Sequence, residues 1–252
     1  MILDRKVCMV TGAGSGIGRT TALHMAREGA TLVLVGRTQS KVASVAEVIQ
    51  SLGGTTTAYG LDVSDRDSIV SMVDQVEKVY GRIDVLLNNA GHSSPHRRLL
   101  NTPPEEIESV ISSNLLGTIY CSQAVLPGML KRDSGTIINV ASMAGIEPGL
   151  MGGMIYSTVK ASIIAFTKFL KSEFAKTNIR ATVVSPGEIE TPALDRRPVP
   201  PNEEGRKTIS GPEEVSELLV TIVGLPQRTA IPEVIIRPTF DRDRSEEMGA
   251  IP

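Results

Sequence analysis

The chain has 252 residues, of which 41% are hydrophobic and 21% are charged, with a formal net charge of -2. This composition is ordinary for a globular protein and provides no basic surface for nucleic acid, so we expect no nucleic-acid partner. No apolar run approaches the ~20 residues needed to span a bilayer, and residues 1–6 lack the apolar core of a secretory signal; we therefore expect a cytoplasmic protein with no membrane partner.

Short apolar runs alternate along the chain with longer stretches of helical periodicity. This alternation is typical of a parallel sheet with crossover helices. The predicted fold class is α/β: a single doubly wound, Rossmann-like domain over residues 1–252, with helices on both faces of a seven-stranded parallel sheet. The predicted strands are Lys6–Val10, Thr31–Val35, Thr55–Gly60, Ile83–Leu87, Gly135–Val140, Ile179–Val184 and Glu233–Arg237.

Helices are predicted where apolar residues recur at helical spacing and form one stripe that faces the sheet. Thr102 is the predicted N-cap of a long helix whose first turn contains Pro103 and Pro104. The two clearest stripes are Ile69, Val73, Val76 and Tyr80, and Val159, Ile163, Phe166, Leu170 and Phe174.

Two segments fall outside the predicted layers. Residues 186–211, within the proline-rich and charged stretch Ser185 to Gly211, follow the sixth strand and form a short predicted lid over a site. The tail, residues 241–252, is predicted either to reach a neighbouring subunit or to be flexible. Cys8 and Cys121 lack metal-ligand spacing, so we predict two small buried hydrophobes and no metal site.

A glycine-rich turn follows the first strand directly and leads into a helix. Its glycines allow a tight turn and a close approach of backbone amides to a pyrophosphate, which the helix N-terminus attracts. The spacing departs from the G-x-G-x-x-G fingerprint, and an ordinary glycine turn is the alternative. The predicted cofactor contacts in this turn are Gly12, Ser15, Gly16, Ile17 and Gly18.

The end of the second strand indicates which dinucleotide is bound. Proteins that prefer NAD usually place a carboxylate there, whereas this chain has Gly36, Arg37 and Thr38. Arg37 would bind a 2′-phosphate and Thr38 would add a hydroxyl, so the predicted cofactor is NADP, with NAD as the second choice. A solvated arginine in a loop is the alternative.

Further cofactor contacts are predicted after the third and fourth strands. Asp62 and Val63 are placed to reach the adenine ring, although Asp62 would equally serve as the cap of a helix beginning near Asp65. Asn89, Ala90 and Gly91 end the fourth strand beside the cofactor.

Tyr156 precedes Lys160 by four residues and follows Ser142 by fourteen. A separation of four places two side chains on one helix face. A tyrosine, with a pKa of about 10, acts as a base near neutral pH only if a cation favours its phenolate, and Lys160 supplies that cation. Ser142 would bind the substrate oxygen on which charge develops. A half-buried tyrosine beside a solvated lysine is the alternative for the pair alone.

Together these motifs resemble the short-chain dehydrogenase/reductase family, over essentially residues 5–240. Residues 11–18 are similar to its T-G-x-x-x-G-x-G turn, and residues 88–91 are similar to its N-N-A-G segment. The family's catalytic tetrad is matched by Asn114, Ser142, Tyr156 and Lys160.

The resemblance implies an enzyme that interconverts a secondary alcohol and a ketone, or an aldehyde or hydroxy acid, by hydride transfer. It implies that Asn114 holds a water in a proton relay to Lys160. It also implies contacts to the nicotinamide carboxamide from a segment similar to P-G-x-x-x-T, which contains Pro186, Gly187, Ile189 and Thr191.

The predicted partners are a small carbonyl or alcohol substrate and further copies of the chain. The resemblance points to residues 105–130 and 154–176 as the contact faces of a homotetramer or homodimer. Glu188 would either recognise a polar or amine-bearing substrate or face solvent. The residues predicted to line the substrate pocket are His92, Ser93, Ser94, Met143, Met151, Met154 and Glu188.

Two other function classes fit parts of the sequence. A non-catalytic dinucleotide sensor would share the fold but would not need the tetrad. A nucleotide-sugar epimerase or dehydratase resembles a longer relative with a substantial C-terminal substrate domain, and the segment after Pro186 is too short for that domain.

Overall fold

A computed structural model describes residues 1–251, so the end of the predicted domain and tail, Pro252, lies outside the described residues. All seven predicted strands are confirmed, with ends that differ by at most two residues, and so is the predicted fold class. The strands are β1 (Val7–Thr11), β2 (Thr31–Gly36), β3 (Thr56–Gly60), β4 (Val85–Asn88), β5 (Gly135–Val140), β6 (Ile179–Pro186) and β7 (Glu233–Ile236). They form one parallel sheet in the order β3-β2-β1-β4-β5-β6-β7.

Helices connect the strands. A π-helical segment, Ile111–Leu116, joins the fourth helix to the fifth helix. Within residues 1–251, none of the helices combines the length and the apolar character needed to cross a membrane. The helices are α1 (Gly16–Arg27), α2 (Gln39–Ser51), α3 (Arg66–Tyr80), α4 (Pro104–Val110), α5 (Gly117–Lys131), α6 (Met154–Glu173), α7 (Glu203–Arg206), α8 (Pro212–Gly224) and α9 (Ser245–Gly249).

The central strands β1, β2 and β4 are buried on both faces, which explains why they are apolar along nearly their whole length. Along β1, Cys8 and Val10 face the core formed with α1, α2 and α8. Val7 and Met9 face the opposite core, formed mainly with α3 and α5. Burial raises the pKa of the Cys8 and Cys121 thiols to about 12, so both cysteines behave as small hydrophobes.

The strand order reverses between β1 and β4. From β1 the chain builds outward through β2 to β3, then returns to β4 on the other side of β1 and continues to β7. In an open α/β sheet, ligands bind in the crevice at the carboxyl ends of the strands at such a point. The fold therefore brings the ends of β1, β4, β5 and β6 to one binding edge.

The predicted capping role of Thr102 is wrong. Helix α4 begins at Pro104, its N-cap is Pro103, and the cap makes no side-chain hydrogen bond. The Thr102 hydroxyl instead donates to the carbonyl oxygen of Arg98 at 2.8 Å. The two prolines remove N–H donors that a cap would satisfy, so the hydroxyl bonds to the preceding turn.

The tail contacts residues of its own chain, and its predicted reach to a neighbouring subunit remains a prediction. Arg242 donates through Nη2 to Glu188 in the lid at 2.8 Å and also pairs with Glu247 of α9. Nη2 of Arg98 donates to the carbonyl oxygen of Ile251 at 3.4 Å. Two carboxylates share one largely buried guanidinium, so the tail and the lid are held together.

We predict that the protein is a homo-oligomer, and that Phe169→Glu shifts it toward the monomer. Phe169 lies on α6, one of the predicted contact faces, and its side chain is 59% exposed. A charge there would oppose burial of this face against a second copy. Light scattering at micromolar concentration measures the shift, and Leu52→Glu, at an equally exposed site on the end of α2, is the control. A monomeric wild type would contradict the prediction.

Candidate active site

A cleft of about 690 Å³ crosses the carboxyl ends of the central strands. Every predicted catalytic residue lines it, and so does every predicted cofactor residue except Gly18. Gly18 lies beneath the turn, where a β-carbon would collide with the carbonyl oxygen of Gly12. Gly18 thus allows close packing between α1 and the turn, and its contact with the cofactor remains a prediction.

The glycine turn presents free backbone donors to the cleft. Gly12 and Gly16 have φ values of +67° and +51°, a left-handed conformation that favours glycine. Helix α1 begins at Gly16, its N-cap Ser15 makes no side-chain capping hydrogen bond, and its first turn contains no acidic residue. The N-terminal amides and the helix dipole are thus available to an anion, and the turn fits the pyrophosphate of a dinucleotide.

The turn is fastened to the end of β4 by hydrogen bonds. The Thr11 hydroxyl oxygen accepts the backbone N–H groups of Asn89 and Ala90, each at 3.0 Å. Nδ2 of Asn89 donates to the carbonyl oxygen of Thr11 at 3.2 Å. The Asn89 side chain therefore holds the turn in place.

The predicted adenosine contacts lie together at one end of the cleft. Arg37 is exposed just beyond β2, and Asp62 lies just beyond β3. The alternative in which Asp62 caps a helix is excluded, because Asp65 caps α3 by accepting the N–H of Ser68 at 3.1 Å. Asp62 instead accepts the N–H of Ser64 at 2.9 Å, in a turn of its own.

Sequence reasoning missed Lys41, a second basic residue at this end of the cleft. It lies in the first turn of α2, where its Cβ is 3.0 Å from the position that a β-carbon on Gly14 would occupy. The available signal was its separation of four residues from Arg37. Two cations therefore flank the adenosine end.

The four tetrad residues converge at the other end of the cleft. Ser142 lies just beyond β5, and its hydroxyl oxygen accepts the N–H of Ala144 at 3.2 Å. Tyr156 and Lys160 share one face of α6, with Nζ of Lys160 at 5.4 Å from the centre of the tyrosine ring. The same Nζ donates to the carbonyl oxygen of Val140 at 2.8 Å.

Asn114 lies in the π-helical segment and is fully buried. Its Nδ2 donates to the carbonyl oxygens of Val110 and His92, each at 2.9 Å. Its Oδ1 is buried and has no donor within residues 1–251. A side chain at position 91 would collide with this Oδ1, so Gly91 leaves room for it. The wider π-helical turn thus sets a free acceptor at the edge of the cleft.

Burial and charge act on Tyr156 in opposite directions. Burial raises the pKa of the Tyr156 hydroxyl, while hydrogen bonding to Ser142 and the charges of Arg197 and Arg97 lower it in part. Burial also lowers the pKa of Lys160 to about 8. The two arginines were missed by sequence reasoning, because both lie in loops without any periodic pattern.

The predicted pocket residues are mostly in place. His92, Ser93, Met143, Met151 and Glu188 line the cleft, whereas Ser94 and Met154 do not. The Ser94 hydroxyl is turned to Glu106, and Met154 packs in the cluster of α4 and α6. These two residues of the predicted pocket are therefore corrected to structural positions.

Glu188 is already paired with cations of its own chain. Its Oε1 accepts from Nη1 of Arg197 at 2.6 Å, and its Oε2 accepts from Nε of Arg242 at 2.9 Å. Although burial acts to raise the pKa of Glu188, the hydrogen bonds from Arg242 and Arg197 lower it below its usual value. Both carboxylate oxygens are thus occupied, which disfavours the predicted recognition of an amine-bearing substrate.

His92 is held by side chains on the neighbouring helical segment. Its Nδ1 lies 3.0 Å from the Ser113 hydroxyl oxygen and its Nε2 lies 3.2 Å from that of Ser109. Burial, together with the charges of Arg37 and Arg196, lowers the pKa of His92. A neutral imidazole whose two ring nitrogens both contact serine hydroxyls is suited to a structural role rather than to that of a second acid.

Comparisons with known proteins agree with this geometry. The family model described as short chain dehydrogenase matches residues 6–199. The 3-oxoacyl-[acyl-carrier-protein] reductase FabG of Thermotoga maritima is 39% identical over 225 residues, which cover 87% of this chain and 91% of that protein.

Solved structures of two dehydrogenases superpose along nearly the whole chain. The closed form of serine dehydrogenase complexed with NADP+ has a TM-score of 0.86 and 28% identity, and covers 94% of this chain and 96% of its own. NAD+-bound xylitol dehydrogenase has a TM-score of 0.84 and 26% identity, and the match covers 94% of this chain and 99% of that protein.

Proposed function

This chain belongs to the short-chain dehydrogenase family, and we propose that it is an NADP-dependent oxidoreductase that interconverts a secondary alcohol and a ketone, or an aldehyde or hydroxy acid. The observation that carries the proposal is the convergence of Asn114, Ser142, Tyr156 and Lys160 on one cleft with the glycine turn. The dehydrogenases and the reductase that the chain is similar to support the same reaction class.

The cofactor, when bound, supplies or accepts the hydride. For this chain, the amides at the start of α1 would hold the pyrophosphate, and Arg37 and Lys41 would hold a 2′-phosphate. The segment with Pro186 and Thr191 also lines the cleft, where Thr191 lies close to Gly16 of the turn.

Tyr156 is the general acid and base of the proposed reaction. In reduction, its hydroxyl gives a proton to the oxygen of the developing alkoxide; in oxidation, its phenolate takes the proton of the alcohol. Ser142 donates a hydrogen bond to the same substrate oxygen. Lys160 favours the phenolate and holds the ribose, and Asn114 supplies the next acceptor in a proton relay.

A screen of NADPH consumption over a panel of ketones, aldehydes and oxo acids tests the proposal. Turnover of any of these carbonyl compounds supports an oxidoreductase. Tight NADPH binding without turnover of any compound would instead favour the non-catalytic sensor, which shares the fold but does not need the tetrad.

We predict that NADP(H) is preferred over NAD(H) and that Arg37 is the main reason. Hydrogen bonds to a charged group are worth ~1.5 to 3 kcal/mol, which corresponds to roughly 10- to 150-fold in affinity. Arg37→Ala should lower kcat/KM for NADPH by about this factor and leave NADH nearly unchanged, while addition of Lys41→Ala should lower it further. Steady-state kinetics with both cofactors measures the effect.

The local geometry provides a control variant for Arg37→Ala and a second variant that should favour NADH over NADPH. Arg66→Ala removes an exposed arginine outside the cleft and should change neither cofactor. A carboxylate for the ribose hydroxyls is best placed by Arg37→Asp, because a β-carbon at Gly36 would lie 3.0 Å from Cγ1 of the buried Val42. A wild type that already favours NADH would refute the role of Arg37.

A further inference from the structure

Arg97 is a buried cation at the tetrad end of the cleft. Its side chain lines the cleft, and the residue is only 3% exposed. Its Nη1 donates to the carbonyl oxygen of Gly152 at 2.7 Å, and its Nε is buried without an acceptor within residues 1–251. Across that part of the chain, the arginines paired with carboxylates are Arg5, Arg66, Arg82, Arg132, Arg197, Arg206, Arg237, Arg242 and Arg244.

A buried guanidinium that keeps a donor without an acceptor, as Arg97 does, is stabilised by an anion beside it. Removing a charge from water is unfavourable, and buried charges in proteins are normally paired. Arginine does not escape this cost by losing its proton, since its pKa stays far above neutral pH. Glu188, which also lines the cleft, does not serve as the partner, because Arg197 and Arg242 already occupy its oxygens. The positive charge of Arg97 is therefore left for a ligand in the cleft.

Arg97 is also fixed close to the reacting end of the site. Its carbonyl oxygen accepts the N–H of Met154, the first residue of α6, at 2.9 Å. A β-carbon on Gly153, whose φ is +76°, would lie 2.7 Å from Cδ of Arg97. Tyr156 follows within the same first turn of α6, and the charge of Arg97 acts on the pKa of its hydroxyl. A ligand anion at Arg97 would therefore lie near the oxygen that exchanges a proton with Tyr156.

We propose that the substrate of this site is a short oxo acid, or the corresponding hydroxy acid, whose carboxylate binds Arg97 while its carbonyl or hydroxyl oxygen faces Tyr156. The proposal rests on the proposed oxidoreductase function and specifies its substrate class. A planar guanidinium matches a carboxylate through paired hydrogen bonds, which orient the substrate as well as bind it.

Substrates that differ in the negative charge of the carboxylate test whether Arg97 binds it. We compare 3-oxobutanoate with its methyl ester and with its N-acetylcysteamine thioester, which keep the ketone and remove the negative charge. The wild type should have a higher kcat/KM for the acid. Arg97→Met should lower the acid-to-ester ratio of kcat/KM by about 10- to 150-fold, chiefly through KM for the acid. Arg97→Lys should restore part of the ratio, because it returns the charge without the planar fork.

Arg98→Met is the matched control. It removes the same charge from the adjacent residue, which is exposed, lies outside the cleft and contacts the tail at Ile251. It should leave the acid-to-ester ratio unchanged.

Three results would overturn the proposal or its premise in distinguishable ways. A wild type that reduces the ester or thioester at least as well as the acid refutes the substrate class and leaves the oxidoreductase function intact. A parallel loss of acid and ester activity in Arg97→Met refutes the substrate class and shows that Arg97 acts through Tyr156 or through the position of α6. No NADPH consumption with any of these or other carbonyl compounds refutes the oxidoreductase function itself, and the substrate class with it.

Discussion

Replacement of Tyr156 by phenylalanine should lower the rate of hydride transfer by about 10²- to 10⁴-fold, the usual contribution of a general acid or base. The variant removes only the hydroxyl that exchanges a proton with the substrate oxygen. The ring that packs beside Lys160 is retained, so NADPH should bind with nearly unchanged affinity. The loss should therefore be in kcat and in kcat/KM together, as expected for an interaction made in the transition state.

Stopped-flow measurement of hydride transfer and fluorescence titration of NADPH separate these two effects. Tyr120→Phe is the control, because Tyr120 lies on α5 away from the cleft and should retain full activity. Hydride transfer in Tyr156→Phe within threefold of the wild type would contradict the assignment of Tyr156 as the acid and base.

Lys160→Met should stabilise the cofactor-free protein while abolishing useful turnover. Burial lowers the pKa of Lys160 from 10.5 to about 8, and at about 1.36 kcal/mol per pKa unit the folded state loses about 3 kcal/mol by holding this charge at pH 7. Methionine of similar shape removes that cost but also the hydrogen bond to the carbonyl oxygen of Val140, worth about 1 kcal/mol. The net gain in the free energy of unfolding should be about 2 kcal/mol.

The gain should depend on pH in a defined direction. Below pH 8 Lys160 is charged in the folded and unfolded states, so the full cost is present. Between about 8 and 10.5 the unfolded chain binds more protons than the folded one, so the wild type becomes more stable relative to the variant as pH rises. The free energy of unfolding of Lys160→Met should therefore exceed that of the wild type by less at pH 9.5 than at pH 7, as measured by denaturant unfolding.

Lys171→Met, on the exposed side of the same helix, should change stability by no more than about 0.5 kcal/mol at either pH. A Lys160→Met variant that is less stable than the wild type at pH 7 would show that the buried ammonium does not carry this cost.

The sheet, the glycine turn and the family could all be predicted from the amino-acid sequence. Strand and helix signals depend on residues close together in the chain, as in the continuous apolar run of β1 and the apolar stripe of α3. The family was readable because its motifs occur in a set order at strand ends, and parallel strands bring those ends to one edge of the sheet. The helical spacing of Tyr156 and Lys160, together with the place of Ser142 after a strand, predicted that these three residues share a site.

Which charges are paired and which are free could be read only from the three-dimensional structure. Glu188 accepts a hydrogen bond from Arg242 of the tail, and Lys41 lies against the turn at Gly14. Both contacts join residues that are far apart in the chain. Arg97 and Arg98 are neighbours of the same type, yet one is buried in the cleft and the other is exposed. Charge pairing and pKa depend on three-dimensional distance and burial, which local sequence patterns do not encode.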